Sequence, residues 1–171
     1  GLQRGMGLVV LHHGLYVDIF ARGAQQDLLQ LIGAEADSIA WGTEAGQRVF
    51  NVGEGHFVST HGLEYAGEGN FAGTAGVPAG VYQFFRNVPD ELYAVTRLHV
   101  AEAEQRTPLF ASDSGGERLL GYALQRPGWQ GRVLVYQPGE YQPHTLDDRS
   151  GVNYQILMNA LYFAAYGDTT P

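Results

Sequence analysis

The chain has 171 residues, of which 44% are hydrophobic and 16% are charged, and this balance predicts one folded domain rather than a disordered segment. Its net charge is −8 and all of its basic residues are arginine, which argues against nucleic acid or an anionic membrane as a partner. Cysteine and lysine are absent, which excludes disulfides, thiolate zinc sites, a cysteine nucleophile and a Schiff-base lysine.

The sequence also bears on membranes and compartment. No apolar run reaches the roughly 18 residues that a membrane-spanning helix needs, so no membrane span is expected. No signal peptide is recognisable. Because the lack of cysteine fits several environments, the compartment stays open: the cytoplasm is favoured, with the periplasm or secretion as alternatives.

Residues 7–12 form the first predicted strand. Leu8, Val9, Val10 and Leu11 are apolar at every position, which is typical of a strand buried on both faces of a sheet.

Two histidines and a glycine, His12, His13 and Gly14, follow this strand at its carboxyl end, where ligands bind in open α/β sheets. Neighbouring strand residues point to opposite faces, so both histidines can serve one site only if the chain turns, which Gly14 allows. The pair is a candidate metal-ligand or general-base site; the alternative is a polar strand end satisfied by backbone groups.

A helix is predicted from Asp18, as its cap, to about Ile32, with Gly33 as its end. This gives a single βα unit in the amino-terminal half, whereas a doubly wound sheet needs several. A buried strand so near residue 1 would also need neighbours on both sides. We therefore expect an α/β sheet that lacks its amino-terminal βα units.

The middle of the chain is predicted to hold a short strand at Arg48–Val52, which Gly53 ends, and then a long glycine-rich loop over residues 53–80. His56 and His61 lie in this loop, and their spacing matches no strong zinc signature. Exposed loop histidines are common, and this is the simpler interpretation of His61.

The second half is predicted to be rich in strands, followed by a helix. The strands cover residues 91–97, 108–112, 119–125 and 132–136, and the last two form a hairpin. A helix follows, with Ser150 as its cap and Gly167 as its end. Asp90 and Glu91 could do acid/base work, although adjacent strand positions diverge and a solvated turn is the alternative.

Four segments resemble, in the same order, motifs of the trehalose-utilisation (ThuA-like) family. Gly5–His12 resembles the family's "GxGlvvlH" strand, and Asp90–Tyr93 resembles its "DELY" segment. Gly131–Gly139 is similar to its "GRvfY…GH" segment, and Asn159–Gly167 is similar to its closing helix. Each motif is short, but together they span nearly the whole chain.

The resemblance implies one ThuA-like domain over residues 1–171. It implies a class I glutamine amidotransferase-like, flavodoxin-like doubly wound sheet, with an antiparallel hairpin near the C-terminus and further βα units before the first strand. It also implies a role in the metabolism of trehalose-type or related glycosides, with a small sugar or sugar derivative as the partner. No glutaminase activity is expected, because the family lacks the amidotransferase catalytic set and this chain has no cysteine.

The chain differs from the family's motifs at several positions. It has Glu140 and Phe57 where the family has histidine and proline, and Leu15 where close relatives have a further histidine. Tyr162 and Phe163 replace the arginine and tryptophan of the closing helix.

The predicted site combines the ends of two strands. His12 and Glu140 are the candidate catalytic residues, and they should lie at the same edge of the sheet. With His13 they form a candidate site for zinc or another divalent metal. The candidate ligand-binding residues are His13, Tyr16, His56, Asp90, Glu91, Tyr93 and Tyr141.

Two further questions stay open from the sequence. One is whether the protein is an enzyme or a non-catalytic carbohydrate-binding or protein-interaction module, since its 12% of aromatic residues suit sugar stacking or an interface. The other is whether it forms a homo-oligomer.

Overall fold

A computed structural model describes residues 1–15, 31–42, 47–74, 76–87, 90–98, 105–113, 118–139 and 147–167. Two α-helices have defined bounds, α1 (Phe57–Thr60) and α2 (Val152–Tyr166), and two 3₁₀-helices span Leu2–Arg4 and His12–Leu15. The strands in the described residues are β1 (Leu8–Leu11), β2 (Ala34–Gly42), β3 (Gln47–Asn51), β4 (Gly67–Phe71), β5 (Gly80–Asn87), β6 (Asp90–Leu98), β7 (Gln105–Ser112), β8 (Arg118–Gln125) and β9 (Val133–Tyr136).

Seven of these strands form one mixed sheet in the order β1-β9-β8-β7-β3-β5-β4. β1 and β9 are parallel, with Leu8 opposite Val133 and Leu11 opposite Tyr136, and the other pairs described in this sheet are antiparallel. β2 and β6 form a separate antiparallel pair. The protein is therefore of the mixed α/β class, and the predicted antiparallel hairpin of β8 and β9 is confirmed.

The side chains of β1 explain why its sequence is apolar at every position. Val10 belongs to a buried cluster that includes Phe50 and Val135 on one face of the sheet. Val9 and Leu11 pack against a second cluster, which includes residues of α2. Both faces of β1 therefore contact a buried cluster, but only Val10 is itself buried, so the predicted burial on both faces is confirmed in part. β1 lies at the end of the described strand order.

The helix α2 packs closely on the start of β1. Ile156, Ala160 and Phe163 are its buried contact residues. At Gly7 the two elements approach so closely that a Cβ would lie 2.3 Å from the carbonyl oxygen of Ala164. The sequence can bring helix and strand together here because residue 7 has no side chain.

The ends of α2 were predicted in part. Gly167 follows its last residue, as expected, but the prediction that Ser150 caps the helix is wrong. The capping position is Gly151, and the Ser150 hydroxyl instead donates a hydrogen bond to Asp148 Oδ1 at 2.7 Å. The turn formed by Asp148 and Ser150 therefore precedes the helix rather than beginning it.

The prediction of a single long loop over residues 53–80 is wrong, because this segment contains α1 and β4. β4 pairs with β5. Its glycines, Gly67 and Gly69, have no side chains, so the alternation of polar and apolar residues by which a strand is recognised is absent from its sequence. β2 and β5 were also missed. β2 is rich in alanine and acidic residues, which are poor strand formers.

The predicted helix from Asp18 falls largely on residues 16–30, which lie outside the described residues. Leu31 and Ile32 are helical, and Gly33 has a φ of 70°, so a helix does end at the predicted position. In the described part of the chain no helix has the length and apolar character needed to cross a membrane.

Candidate functional site

The carboxyl ends of β1 and β9 lie side by side because the two strands are parallel neighbours. His12 follows β1, and its Nδ1 donates a hydrogen bond to the backbone oxygen of Gln137, which follows β9, at 3.1 Å. A carbonyl oxygen can only accept, so Nδ1 carries a proton, and in the neutral ring the lone pair is on Nε2. The two strand ends singled out in the sequence, 125 positions apart, thus meet at one edge.

The backbone of His12 adopts a strained conformation. Its φ is 44°, and it is the one non-glycine residue in the described ranges with a positive φ. Such a conformation costs on the order of 1 kcal/mol and is concentrated at functional sites. The chain therefore turns at His12 itself, two positions before the predicted turn at Gly14.

Asp90 contacts the same segment from the start of β6. Its Oδ2 accepts a hydrogen bond from the backbone N–H of Gly139 at 3.0 Å, and only 2% of the residue is exposed. Gly139 also lies against His12, since a Cβ at position 139 would be 3.3 Å from the Cβ of His12. His12 and Asp90 therefore both contact residues 137–139.

Two further polar side chains lie at this edge of the sheet. The antiparallel order from β9 through β8 and β7 places the first residue of β3 here, and that residue is Gln47. Gln47 lies opposite Asn87, the last residue of β5. Gln47 Nε2 donates to the backbone oxygen of Asp90 at 3.3 Å, so this pair adjoins the His12 and Asp90 contacts.

A buried hydrogen-bond chain runs from β9 through α2 to β5. The Tyr136 hydroxyl donates to Asn153 Oδ1 at 2.7 Å, and Asn153 Nδ2 donates to Asn87 Oδ1 at 2.8 Å. Complete burial raises the pKa of Tyr136 well above 10.0, and electrostatic interaction with Asp90 and Tyr65 acts in the same direction. The hydroxyl therefore keeps its proton and remains a donor.

We call these residues the strand-end cluster: His12, Gln47, Asn87, Asp90, Tyr136, Gln137 and Asn153. Two of its buried atoms, Gln47 Oε1 and Asn87 Nδ2, have no hydrogen-bond partner in the part of the chain that the structure describes. Leaving a buried polar atom unpaired costs about 1–3 kcal/mol. One of the two atoms is an acceptor and the other is a donor, so the cluster is not satisfied by its own side chains.

Of the predicted site residues, the structure brings His12 and Asp90 together. The other predictions at these strand ends concern positions outside the described residues: Tyr16, Glu140 and Tyr141, and the side chains of His13, Glu91 and Tyr93. The described residues contain no group of three histidine, aspartate or glutamate side chains that could bind a metal ion together. Glu140 lies outside the described residues, so the predicted metal site is not tested by this result. The metal site and the pairing of His12 with Glu140 stay predictions.

His56 lies at the start of α1. Its Nδ1 accepts a hydrogen bond from the Val58 N–H at 3.2 Å, and its ring centroid is 4.9 Å from that of Phe163 on α2. These contacts cap α1 and join it to α2, and neither of them involves the strand-end cluster. They give His56 a structural role, while its assignment to the ligand site stays a prediction.

Three residues of the strand-end cluster, Gln47, Asn87 and Asn153, were not predicted from the sequence. Gln47 is the first residue of β3 and Asn87 is the last residue of β5. Because β5 was not predicted, the position of Asn87 at a strand end could not be recognised. Asn153 carried a clearer signal, because it is polar and lies three residues before Ile156 on the apolar face of the predicted helix. A polar residue on a core face needs a buried partner, and Tyr136 is that partner.

No protein-family model matches the chain, and no curated protein matches it at a significant level.

Proposed function

We propose that the chain is a ThuA-like domain that binds a small carbohydrate at the carboxyl ends of β1 and β9, in the metabolism of trehalose-type or related glycosides. The observation that supports this is the convergence of three resembling segments. His12, Asp90 and Gly139 come from three different segments, and hydrogen bonds or close packing bring them together. Convergence of motifs so far apart in sequence is what a shared ligand site requires.

The chemistry of the cluster supports a polyhydroxy ligand. Gln47, Asn87 and Asn153 carry neutral amides, and Asp90 and His12 add a carboxylate and an imidazole. Amides and an imidazole both donate to and accept from hydroxyls, and a carboxylate accepts from them. Placed at the carboxyl ends of parallel strands, they occupy the usual ligand position of α/β sheets.

A flavodoxin-like arrangement is part of the same proposal. β1 and β9 would be two strands of its parallel sheet, and the β8–β9 hairpin would form its antiparallel extension. The support is the parallel β1–β9 pair and the place of β1 at the end of the described order, with β9 as its one described neighbour.

In the proposed site, His12 and Glu140 are the acid/base pair. The hydrogen bond from His12 Nδ1 to a backbone carbonyl fixes the ring and directs the lone pair to Nε2, an orientation that is common for catalytic and metal-bound histidines. If a divalent metal binds instead, His12, His13 and Glu140 would hold it, and His12 would then act as a ligand rather than as an acid or base. Such an ion would supply Lewis acidity for a bound hydroxyl.

A second candidate is a non-catalytic carbohydrate-binding or protein-interaction module. It is favoured by a row of aromatic rings on the surface formed by α1 and α2. The rings of His61, Phe57, Tyr162 and Tyr166 follow one another at centroid distances of 4.8, 5.1 and 4.9 Å. They line an apolar groove of about 380 Å³, a surface on which a sugar ring can stack.

A thermal-shift screen against mono- and disaccharides tests the proposal and separates the two surfaces. We expect a neutral sugar to raise the unfolding temperature of the wild type. At a sugar concentration about one hundred times Kd, binding should add about 2.7 kcal/mol to the free energy of unfolding. His12→Ala should abolish this shift. His61→Ala, a matched change in the aromatic groove, should leave it intact; the reverse pattern would place the sugar in the groove.

Turnover and metal content are measured in parallel. Hydrolysis of a bound glycoside by the wild type, lost in Glu140→Gln while binding remains, supports the enzyme. Binding without turnover supports the module. Elemental analysis of the wild type and of His12→Ala tests the metal: a wild type that cannot be loaded would remove it from the proposal.

A further inference from the structure

We propose that Gln47 and Asn87 together bind one hydroxyl group of the ligand. The inference rests on the proposed function and deepens it. It identifies the position within the strand-end cluster at which a hydroxylated ligand is distinguished from an analogue that lacks the hydroxyl.

Gln47 and Asn87 are placed to act on one group. They are register partners on antiparallel strands, so their side chains lie on the same face of the sheet with Cβ atoms about 5 Å apart. They are 2% and 5% exposed. A group between them would therefore be shielded from water, where hydrogen bonds discriminate most strongly.

A carbonyl neighbour fixes the orientation of the Gln47 amide, and the direction of the buried hydrogen-bond chain gives that of Asn87. Gln47 Nε2 faces the backbone oxygen of Asp90, which can only accept, so Oε1 is the atom that points elsewhere. Asn87 Oδ1 accepts a hydrogen bond from Asn153 Nδ2, and Asn153 Oδ1 accepts one from the Tyr136 hydroxyl. The remaining atoms are thus an acceptor on Gln47 and a donor on Asn87.

These two atoms define the chemistry of the group that fits. Gln47 Oε1 needs a donor and Asn87 Nδ2 needs an acceptor, and neither has a partner in the described residues. A hydroxyl donates and accepts at once and satisfies both. A carboxylate or phosphate oxygen can only accept and would leave Gln47 Oε1 unpaired, and a methylene would leave both atoms unpaired.

The test uses D-glucose and its monodeoxy derivatives as probes, with Kd measured by titration calorimetry. Because a site built around a hydroxyl rejects the analogue lacking it, we expect one monodeoxy glucose to bind the wild type at least about tenfold more weakly. Gln47→Met and Asn87→Ala should each bind glucose more weakly and lose this discrimination. Two variants are used so that failure of one to fold leaves the other informative.

Asn51→Ala is the matched control. Asn51 is a buried amide on the same strand as Gln47, but both of its polar atoms are paired, with the Ser59 backbone oxygen and the Gly53 N–H. It should lower stability and keep the discrimination between glucose and its deoxy analogue.

Two results would overturn the inference while leaving the proposed function in place. One is unchanged discrimination in folded Gln47→Met and Asn87→Ala. The other is a glucose-bound crystal structure in which a buried water bridges the two amides and the sugar lies elsewhere. A wild type that binds neither glucose nor any other sugar would instead count against the proposed function itself.

Discussion

Replacing Gly7 by alanine is expected to lower the free energy of unfolding by about 3 kcal/mol, as for a strongly overpacked core position. The added Cβ would lie 2.3 Å from the oxygen and 2.6 Å from the carbonyl carbon of Ala164. These are backbone atoms of α2, so they cannot rotate away, and the helix must move off the sheet. Urea denaturation monitored by circular dichroism gives the change directly.

Gly67→Ala is the control for this prediction. Gly67 is the first residue of β4, whereas Gly7 immediately precedes β1, and a Cβ at position 67 would have no heavy atom within 4 Å. We expect its effect to stay within about 0.5 kcal/mol. Equal stabilities of the Gly7 and Gly67 variants would contradict the close packing of α2 on β1.

Asn153→Leu is expected to cost about 3 kcal/mol of unfolding free energy. It removes the side chain that hydrogen-bonds both Tyr136 and Asn87, and it leaves the hydroxyl of the fully buried Tyr136 without this acceptor. Each buried group left unpaired in this way costs about 1–3 kcal/mol.

A double-mutant cycle with Tyr136→Phe shows whether the loss has this cause. In the Asn153→Leu background the tyrosine hydroxyl is already unpaired, so removing it should restore part of the lost stability. The coupling energy between the two positions should be about 1 kcal/mol or more. Strictly additive effects would mean that the buried hydrogen-bond chain contributes nothing.

The sequence was sufficient to place the two strands at the centre of the site. The unbroken apolar runs of β1 and β9 identify strands covered on both faces, and the polar residues after them mark their ends. Once the two strands are parallel neighbours, His12 must lie beside residues 137–139. Asp90 was also singled out, as one of two adjacent carboxylates and as part of the segment that resembles the DELY motif.

The remainder of the cluster depends on information that no local pattern holds. Gln47 and Asn87 meet only because β3 and β5 pair in one register, and a shift of one residue would turn the side chains to opposite faces. The positive φ of His12 was not foreseen because the following Gly14 was the more obvious turn residue. In the segment 53–80, the glycines of β4 prevented its prediction as a strand, and its strand conformation depends on its pairing with β5.

Asp90 illustrates how the structure changes the interpretation of a predicted residue. The sequence suggested general acid/base work by an acidic pair. In the structure its carboxylate accepts the Gly139 N–H and its backbone oxygen accepts from Gln47. Asp90 therefore holds residues 137–139 against the start of β6, which makes it a positioning residue for the proposed site.

The central claim is that a carbohydrate binds where β1 and β9 end, and NMR titration of isotope-labelled protein with trehalose tests it most directly. The Gly139 amide reports on the Asp90 hydrogen bond, and the imidazole signals of His12 report on the other side of the site. The His61 ring reports on the aromatic groove. We predict saturable shifts at Gly139 and His12 with one common Kd and unchanged His61 signals; saturable shifts at His61 with Gly139 and His12 unchanged would contradict the account.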